Sequence, residues 1–285
     1  MILLKIKLAG VPSNSGGLYT GAEMTPKILR QAGIIEVFEK QGIEVLDLGD
    51  VNIPSYIPRH NIPPIRNWPG PRIVWEEIYK QSENWFENDD LILILGGDCS
   101  IVAGTMQSVH RRYGDKTHLV VIDAHIDVYK PSSDRCIGAA GSGLWFLLES
   151  NHFFNTLNGF SGSNVTILGY QQETEINKDV TMHSLWEIRE KGIKLIAKKV
   201  LDSIPEDSSI LIHLDLDAIA KKEMYAVYSP SEEGLSIEEA KTLLREILAD
   251  SRVIGIEITE FLGLHDIDGS QALKLIELIA DAIRN

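Results

Sequence analysis

The sequence is poor in cysteine, with only Cys99 and Cys136 among its 285 residues. Two thiols can form at most one disulfide, and this excludes the disulfide-rich scaffolds that hold small secreted proteins together. The 44% of residues that are hydrophobic are instead enough to build a sizeable core. We therefore expect both cysteines to be free thiols.

Long hydrophobic runs are also missing. No stretch approaches the ~20 consecutive apolar residues that a transmembrane helix needs. The opening segment MILLKIKLAG is too short and too rich in lysine for the apolar region of a signal peptide. We therefore expect no membrane association and a cytoplasmic location, where free thiols are the usual state of cysteine.

Basic residues are scarce relative to acidic ones. The sequence has 27 Lys and Arg against 41 Asp and Glu, which gives a formal net charge of −14. A chain of this charge repels the phosphate backbone, so we exclude nucleic acid as a partner. The surplus acid has a second meaning, because carboxylates gathered in one place repel each other unless cations bind between them.

Short β-type runs alternate with amphipathic helical segments along the whole chain. Seven runs have the aliphatic composition of strands, and an eighth near KDVTMHS is weaker. The alternation predicts an α/β fold with three layers, α/β/α, in which a doubly wound, mostly parallel sheet of about eight strands lies between helices. The pattern gives no reason to divide residues 1–285 into more than one domain.

One segment interrupts this alternation. Residues 50–71 carry six prolines, which exclude a regular helix or a central strand. We expect an excursion away from the sheet. Two roles for it remain open, a flap on the substrate side or a contact between subunits.

Ionisable residues stand where three of the predicted strands end. LILILGG is followed by Asp98 and Cys99, HLVVI by DAHID, and SILIHL by DLD. In an open α/β sheet the carboxyl ends of the strands form the ligand site, and side chains at i and i+2 of an extended chain share a face. Such a cluster predicts a metal centre, because uncompensated carboxylates are costly to bury, although any one motif alone also fits a helix cap or a turn. The candidate ligands are Cys99, Asp123, His125, Asp127, Asp215 and Asp217.

The motifs GGDCS, DAHIDVY and HLDLDAIA, followed by SPSEEGLS and GIEITEF, resemble in order the signature blocks of the ureohydrolase family of arginases, agmatinases and formimidoylglutamases. The resemblance spans nearly the whole chain. It implies two divalent metal ions, with Mn²⁺ as the expected metal, and a homo-oligomer that is a trimer or hexamer. It also implies hydrolysis of a small guanidino or amidine substrate to urea, or a urea analogue, and an amine, by a hydroxide that bridges the ions.

Carried over by position, the resemblance distributes the ligands over the two ions. One ion would be held by Cys99, Asp123, Asp127 and Asp215, and the other by Asp123, His125, Asp215 and Asp217. Asp123 and Asp215 would then bridge. The resemblance also implies a catalytic role for Asp127 and for Glu257, which would hold the cationic guanidinium by charge-assisted hydrogen bonds.

Two of the departures from the family's pattern bear directly on the chemistry. Cys99 stands where the family usually has histidine, and its softer, negatively charged thiolate favours Zn²⁺ or Fe²⁺ in competition with Mn²⁺. Ala140 stands where arginases carry a proton-shuttling histidine, so the leaving amine needs another proton donor. Two alternatives therefore stay open: a catalytically silent or single-metal relative that binds a small cationic ligand, and an amidine hydrolase with Cys99 as nucleophile.

His213 shares a strand face with Asp215 and Asp217. We predict a catalytic role for it, either as a residue that orients a metal ligand or as a replacement for the missing proton shuttle. The alternative is a histidine that is satisfied by hydrogen bonds inside the strand.

Overall fold

Eight parallel strands form one sheet in the computed structural model, which describes residues 5–55, 57–88, 90–149, 160–172, 176 and 179–284. The strands are β1 Lys5–Gly10, β2 Glu44–Asp50, β3 Leu91–Leu95, β4 Thr117–Ile122, β5 Val165–Tyr170, β6 Thr181–Ser184, β7 Ser209–Asp215 and β8 Val253–Thr259. Their order across the sheet is β2-β1-β3-β8-β7-β4-β5-β6. The weakly predicted strand near KDVTMHS is β6.

Helices cover both faces of the sheet, which confirms the predicted α/β fold class. Those in the described residues are α1 Thr25–Gln31, α2 Ile34–Lys40, α3 Gly70–Gln81, α4 Val102–Tyr113, α5 Gly143–Leu148, α6 Leu185–Lys191, α7 Ile193–Ser203, α8 Ile237–Leu248 and α9 Ser270–Ile283. Helices α3, α4 and α5 pack on one face and the other six on the opposite face. Of the helices described, none is long and apolar enough to cross a membrane.

The central strands are aliphatic at nearly every position because both of their faces are buried. In β3, Leu93 and Leu95 belong to the hydrophobic core under one layer of helices, whereas Ile92 and Ile94 belong to the core under the other. Alternate side chains of a strand thus fill alternate layers. Residues at and beyond the carboxyl ends of the strands are less constrained by this packing, and this favours chemistry at that edge of the sheet.

The proline-rich segment lies beside that edge. Residues 51–69 have no regular helix or strand between β2 and α3 in the part that is described. An isolated parallel bridge joins Ile65 to Ile137 in the loop after β4, and the amide of Arg66 donates to the Ile137 carbonyl at 2.8 Å. The excursion is therefore attached to a loop of the candidate site.

Candidate metal centre

The four central strands each deliver acidic or thiol side chains to the same edge. In the sheet, β3, β8, β7 and β4 are consecutive neighbours. Cys99 follows β3, Asp123 follows β4, Asp215 ends β7 and Glu260 follows β8. The order of the motifs along the sequence does not show that these four strands are neighbours, because β8 comes from the far end of the chain and yet lies between β3 and β7.

The structure brings all six candidate ligands together. In a first group, Cys99, Asp123, Asp127 and Asp215 each offer a ligand atom within 4.8 Å of the others. In a second group, Asp123, His125 and Asp217 do the same. Asp123 belongs to both groups, so two cations bound here would share it. The donor set of carboxylates, one imidazole and one thiol suits divalent transition metals.

The DAHID motif converges by a turn rather than as an extended strand. Strand β4 ends at Ile122, and Asp127 has φ 52°, in the left-handed region that non-glycine residues rarely adopt. A carboxylate oxygen of Asp123 accepts a hydrogen bond from the amide of His125 at 2.6 Å. The sequence led us to expect that strand alternation at i and i+2 would bring these side chains together. The turn after β4 does so instead.

The DLD motif behaves in a similar way. Asp215 ends β7, while Asp217 lies in a 3₁₀ turn at Leu216–Ala218, and the amide of Asp217 donates to Asp215 Oδ1 at 2.8 Å. The loop after β4 contacts this turn after β7. His125 Nδ1 lies 2.8 Å from Asp217 Oδ2, and the amide of Ala124 donates to Asp217 Oδ1 at 3.3 Å. These bonds hold the two acidic loops to each other.

Cys99 is buried in the centre of this arrangement, with 1% of its surface exposed. Its Sγ lies 2.8 Å from Asp215 Oδ2 and 3.0 Å from Thr259 Oγ1. Burial, together with the carboxylates of Asp215 and Glu260, raises the pKa of the thiol well above its ordinary value. A nucleophilic cysteine needs the opposite shift. The raised pKa thus argues against a nucleophilic cysteine, while the three carboxylates around the sulfur place it in a possible metal-ligand group.

The electrostatics of the acidic cluster call for a cation. Burial, and then neighbouring carboxylates, raise the pKa of each of the carboxyl groups of Asp127, Asp215, Asp217 and Glu260 well above the ordinary value. Within the described residues, no lysine or arginine forms an ion pair with these four side chains. Bound cations would offset this repulsion, so the residues present fit a binuclear metal centre.

Glu257, which was predicted to hold the guanidinium, and His213 are not among the residues that line the pocket. Glu257 belongs to β8 and is fully buried; one carboxylate oxygen lies 2.7 Å from His213 Nδ1, and the other accepts a hydrogen bond from Thr105. His213 is 2% exposed, and its Nε2 lies 3.5 Å from Thr259 Oγ1. Both side chains therefore have polar partners in the interior, Glu257 in β7 and α4 and His213 in β8.

Glu260 is the acidic residue that β8 contributes to the pocket. Its Oε1 accepts a hydrogen bond from the Cys99 amide at 2.8 Å, whereas its buried Oε2 has no hydrogen-bond partner within the described structure. Its φ of 67° is, like that of Asp127, in the left-handed region. Glu260 was not among the candidates from the sequence, although an acidic residue directly after the predicted strand VIGIEIT is the same signal that indicated the other ligands.

A pocket of about 370 Å³ opens over this cluster. Asp127, Asp215, Asp217 and Glu260 line it together with residues from the loops that surround the sheet edge. Ala140 also lines the pocket and offers no ionisable group there. The pocket is thus large enough for a small molecule whose cationic end contacts the acidic residues.

Comparison with known proteins agrees with this geometry. The family model described as "Arginase family" matches residues 4–284. The arginase of Bacillus subtilis is 25% identical over 287 residues, which cover 95% of this chain and 96% of that protein. The crystal structure of arginase from Bacillus cereus superposes with a TM-score of 0.85 at 25% identity, covering 99% of both chains. The formimidoylglutamase of Bacillus subtilis shares the fold, with a TM-score of 0.78 at 21% identity, over 99% of this chain and 87% of the other.

Proposed function

Because the chain belongs to the arginase family, we propose that it is a metal-dependent hydrolase that cleaves a C–N bond of a small guanidino compound and releases urea, or a urea analogue, and an amine. Members of this family are hydrolases of C–N bonds. The observation that supports the proposal most directly is the meeting of two metal-ligand groups and the unpaired Glu260 carboxylate oxygen in one pocket.

In this proposal the two ligand groups hold one cation each, with Asp123 shared between them. Manganese suits the carboxylates, while Zn²⁺ or Fe²⁺ competes through Cys99. When bound, two such cations supply Lewis acidity and make water a nucleophile at neutral pH. Asp215 becomes a second bridge only if it also reaches the cation of the His125 group, as the family resemblance implies.

Glu260, rather than Glu257, would bind the cationic head of the substrate. Its Oε1 is fixed by the Cys99 amide, so Oε2 is left to accept an N–H from a guanidinium. A charge-assisted hydrogen bond of this kind is about twice as strong as a neutral one. The cationic head in turn neutralises a buried carboxylate that nearby acids destabilise.

Asp127 is the residue we propose for proton transfer. It is both a member of the first ligand group and part of the pocket lining. As a carboxylate that reaches the pocket, Asp127 can accept a proton from the attacking water and then give it to the leaving amine. The position of Ala140 cannot serve this purpose, since alanine has no ionisable group.

Urea release measures the proposed activity. We expect the purified chain, loaded with Mn²⁺, to bind about two ions and to release urea from at least one guanidino compound in a panel that varies the tail. Elemental analysis gives the ion content, and a colorimetric urea assay gives the turnover. Two bound ions without turnover of any guanidino or amidine compound would support the catalytically silent relative, and so would a single bound ion.

Cys99→His is expected to move the metal preference toward Mn²⁺. A neutral imidazole replaces a soft anionic thiolate, so the ratio of Mn²⁺ to Zn²⁺ affinity should rise by on the order of 10-fold. Competition calorimetry measures the ratio, and thermal unfolding shows whether the variant is folded. Cys136→Ser is the matched control, because Cys136 lines the pocket but belongs to neither ligand group. An unchanged ratio in folded Cys99→His would remove Cys99 from the ligands.

A further inference from the structure

Two arginines line the same pocket as the acidic cluster. Arg66 comes from the proline-rich segment before α3, and Arg135 from the loop after β4. Neither is paired with a carboxylate in the described part of the chain. There, the arginines that form ion pairs are Arg30, Arg72, Arg189 and Arg252. The pocket therefore carries excess negative charge where the ligand groups meet and excess positive charge elsewhere on its wall.

Arg66 has an unused donor. Its Nε donates to Asn61 Oδ1 at 2.6 Å, which orients the guanidinium, but its Nη1 is buried without a hydrogen-bond partner among the described residues. Leaving such a donor unpaired is costly, and an unpaired group of this kind calls for a ligand or water. The position is also well fixed, because Arg66 N donates to Ile137 O and Ile137 N donates to Pro64 O at 3.1 Å.

Arg135 also lines the pocket and lies beside an aromatic ring. Its guanidinium carbon lies 5.9 Å from the centroid of the Tyr129 ring, and both side chains line the pocket. Arg135 stands two residues before Ile137, which forms the bridge to Ile65 and so to the segment of Arg66. The two arginines thus lie on two segments that this bridge joins. Arg66 is partly buried, and Arg135 is exposed.

From this distribution of charge we propose that the substrate carries a carboxylate at the end opposite its guanidino or amidine head, and that Arg66 and Arg135 bind this carboxylate. The inference rests on the proposed function, which puts the cationic head at Glu260. Arginine is suited to the role because its planar fork matches the two oxygens of a carboxylate. A cationic tail would be repelled at this wall, and a neutral alkyl tail would leave Arg66 Nη1 unpaired.

Three matched series of compounds test which chemical group the substrate carries at the end opposite its head. ω-Guanidino carboxylates, ω-guanidino amines and plain alkylguanidines of increasing chain length share one head and differ only at the far end. We expect the best carboxylate to exceed its neutral partner in kcat/KM by about 10- to 100-fold, the factor that charged hydrogen bonds supply. Arg66→Gln should remove most of this ratio, and Arg66→Glu should turn the preference toward the amine. Arg72→Gln is the control, since Arg72 is an arginine of α3 outside the pocket.

The outcomes separate the carboxylate site from the hydrolase proposal. Equal kcat/KM for the three tails, or a ratio that Arg66→Gln leaves intact, overturns the carboxylate site while the hydrolase stands. If no compound is hydrolysed, calorimetry with the same series and the metal-loaded protein tests the carboxylate site by binding alone. Tighter binding of the carboxylate that Arg66→Gln abolishes supports the site although the hydrolase proposal fails. Equal affinities, or no binding of any compound, overturn the site.

Discussion

Replacing Asp123 with asparagine is expected to abolish hydrolysis and to remove tight binding of both cations. Asp123 is the residue that the two ligand groups have in common, so the substitution weakens both sites at once. We expect turnover to fall by more than about 100-fold, because losing even an outer partner of a metal ligand costs about 10- to 100-fold. The measurements are urea release and the ion content after gel filtration.

The other ligands should separate the two sites. Asp127 belongs only to the group of Cys99, whereas Asp217 belongs only to the group of His125. Asp127→Asn and Asp217→Asn are therefore each expected to retain about one ion per chain and to lose activity. The matched control is Asp134→Asn, an exposed aspartate in the loop after β4 that belongs to neither group. Full activity and two retained ions in Asp123→Asn would contradict the assignment of the shared ligand.

Thermal unfolding distinguishes lost ligands from lost folding. Burial and neighbouring carboxylates raise the pKa of Asp127 and of Asp217 in the folded state. A carboxylate with a raised folded pKa contributes its stability below its unfolded pKa and loses it as the pH rises through the folded value. At neutral pH without metal, each asparagine variant should therefore melt higher than the wild type. In excess Mn²⁺ the order should reverse, because the wild type gains more from metal binding.

Much of the fold was predictable because it follows from local composition. The runs that became β3, β4 and β7 are aliphatic at nearly every position, which only a strand buried on both faces requires. Strand β6 gave a weak signal because it has four residues at the edge of the sheet and two of its side chains are polar threonine or serine at partly exposed positions. The strand ends also located the six candidate ligands, since the site must lie where the aliphatic runs stop.

The remaining features depend on contacts between distant parts of the chain. The family motif made Glu257 the guanidinium ligand, but only the end of β8 at Thr259 shows that Glu257 still lies within the sheet and Glu260 beyond it. Arg66 gave no local signal at all. It reaches the pocket because Ile65 pairs with Ile137 across more than seventy residues of sequence, a contact that composition and periodicity do not encode.

Glu260→Gln is expected to impair the binding of the guanidinium head without emptying the metal sites. Removing the charge leaves the cationic head without its partner, and breaking one side of a buried charge pair costs about 2–5 kcal/mol, or about 30- to 5,000-fold in kcat/KM. Ion content should remain about two per chain, because Glu260 is outside both ligand groups. Steady-state kinetics with the best guanidino compound and elemental analysis measure the two quantities.

Glu257→Gln provides the decisive comparison, because it makes the same chemical change three residues earlier in the same chain segment. Glu257 contacts His213 and Thr105 but not the pocket, so its replacement should lower the melting temperature more than the affinity for a guanidinium. Guanidinium chloride at low concentration serves as a small competitive ligand, and its inhibition constant should rise in Glu260→Gln and change little in Glu257→Gln. The reverse order of the two inhibition constants would return the guanidinium to Glu257 and would mean that the unpaired oxygen of Glu260 serves a metal ion or water instead.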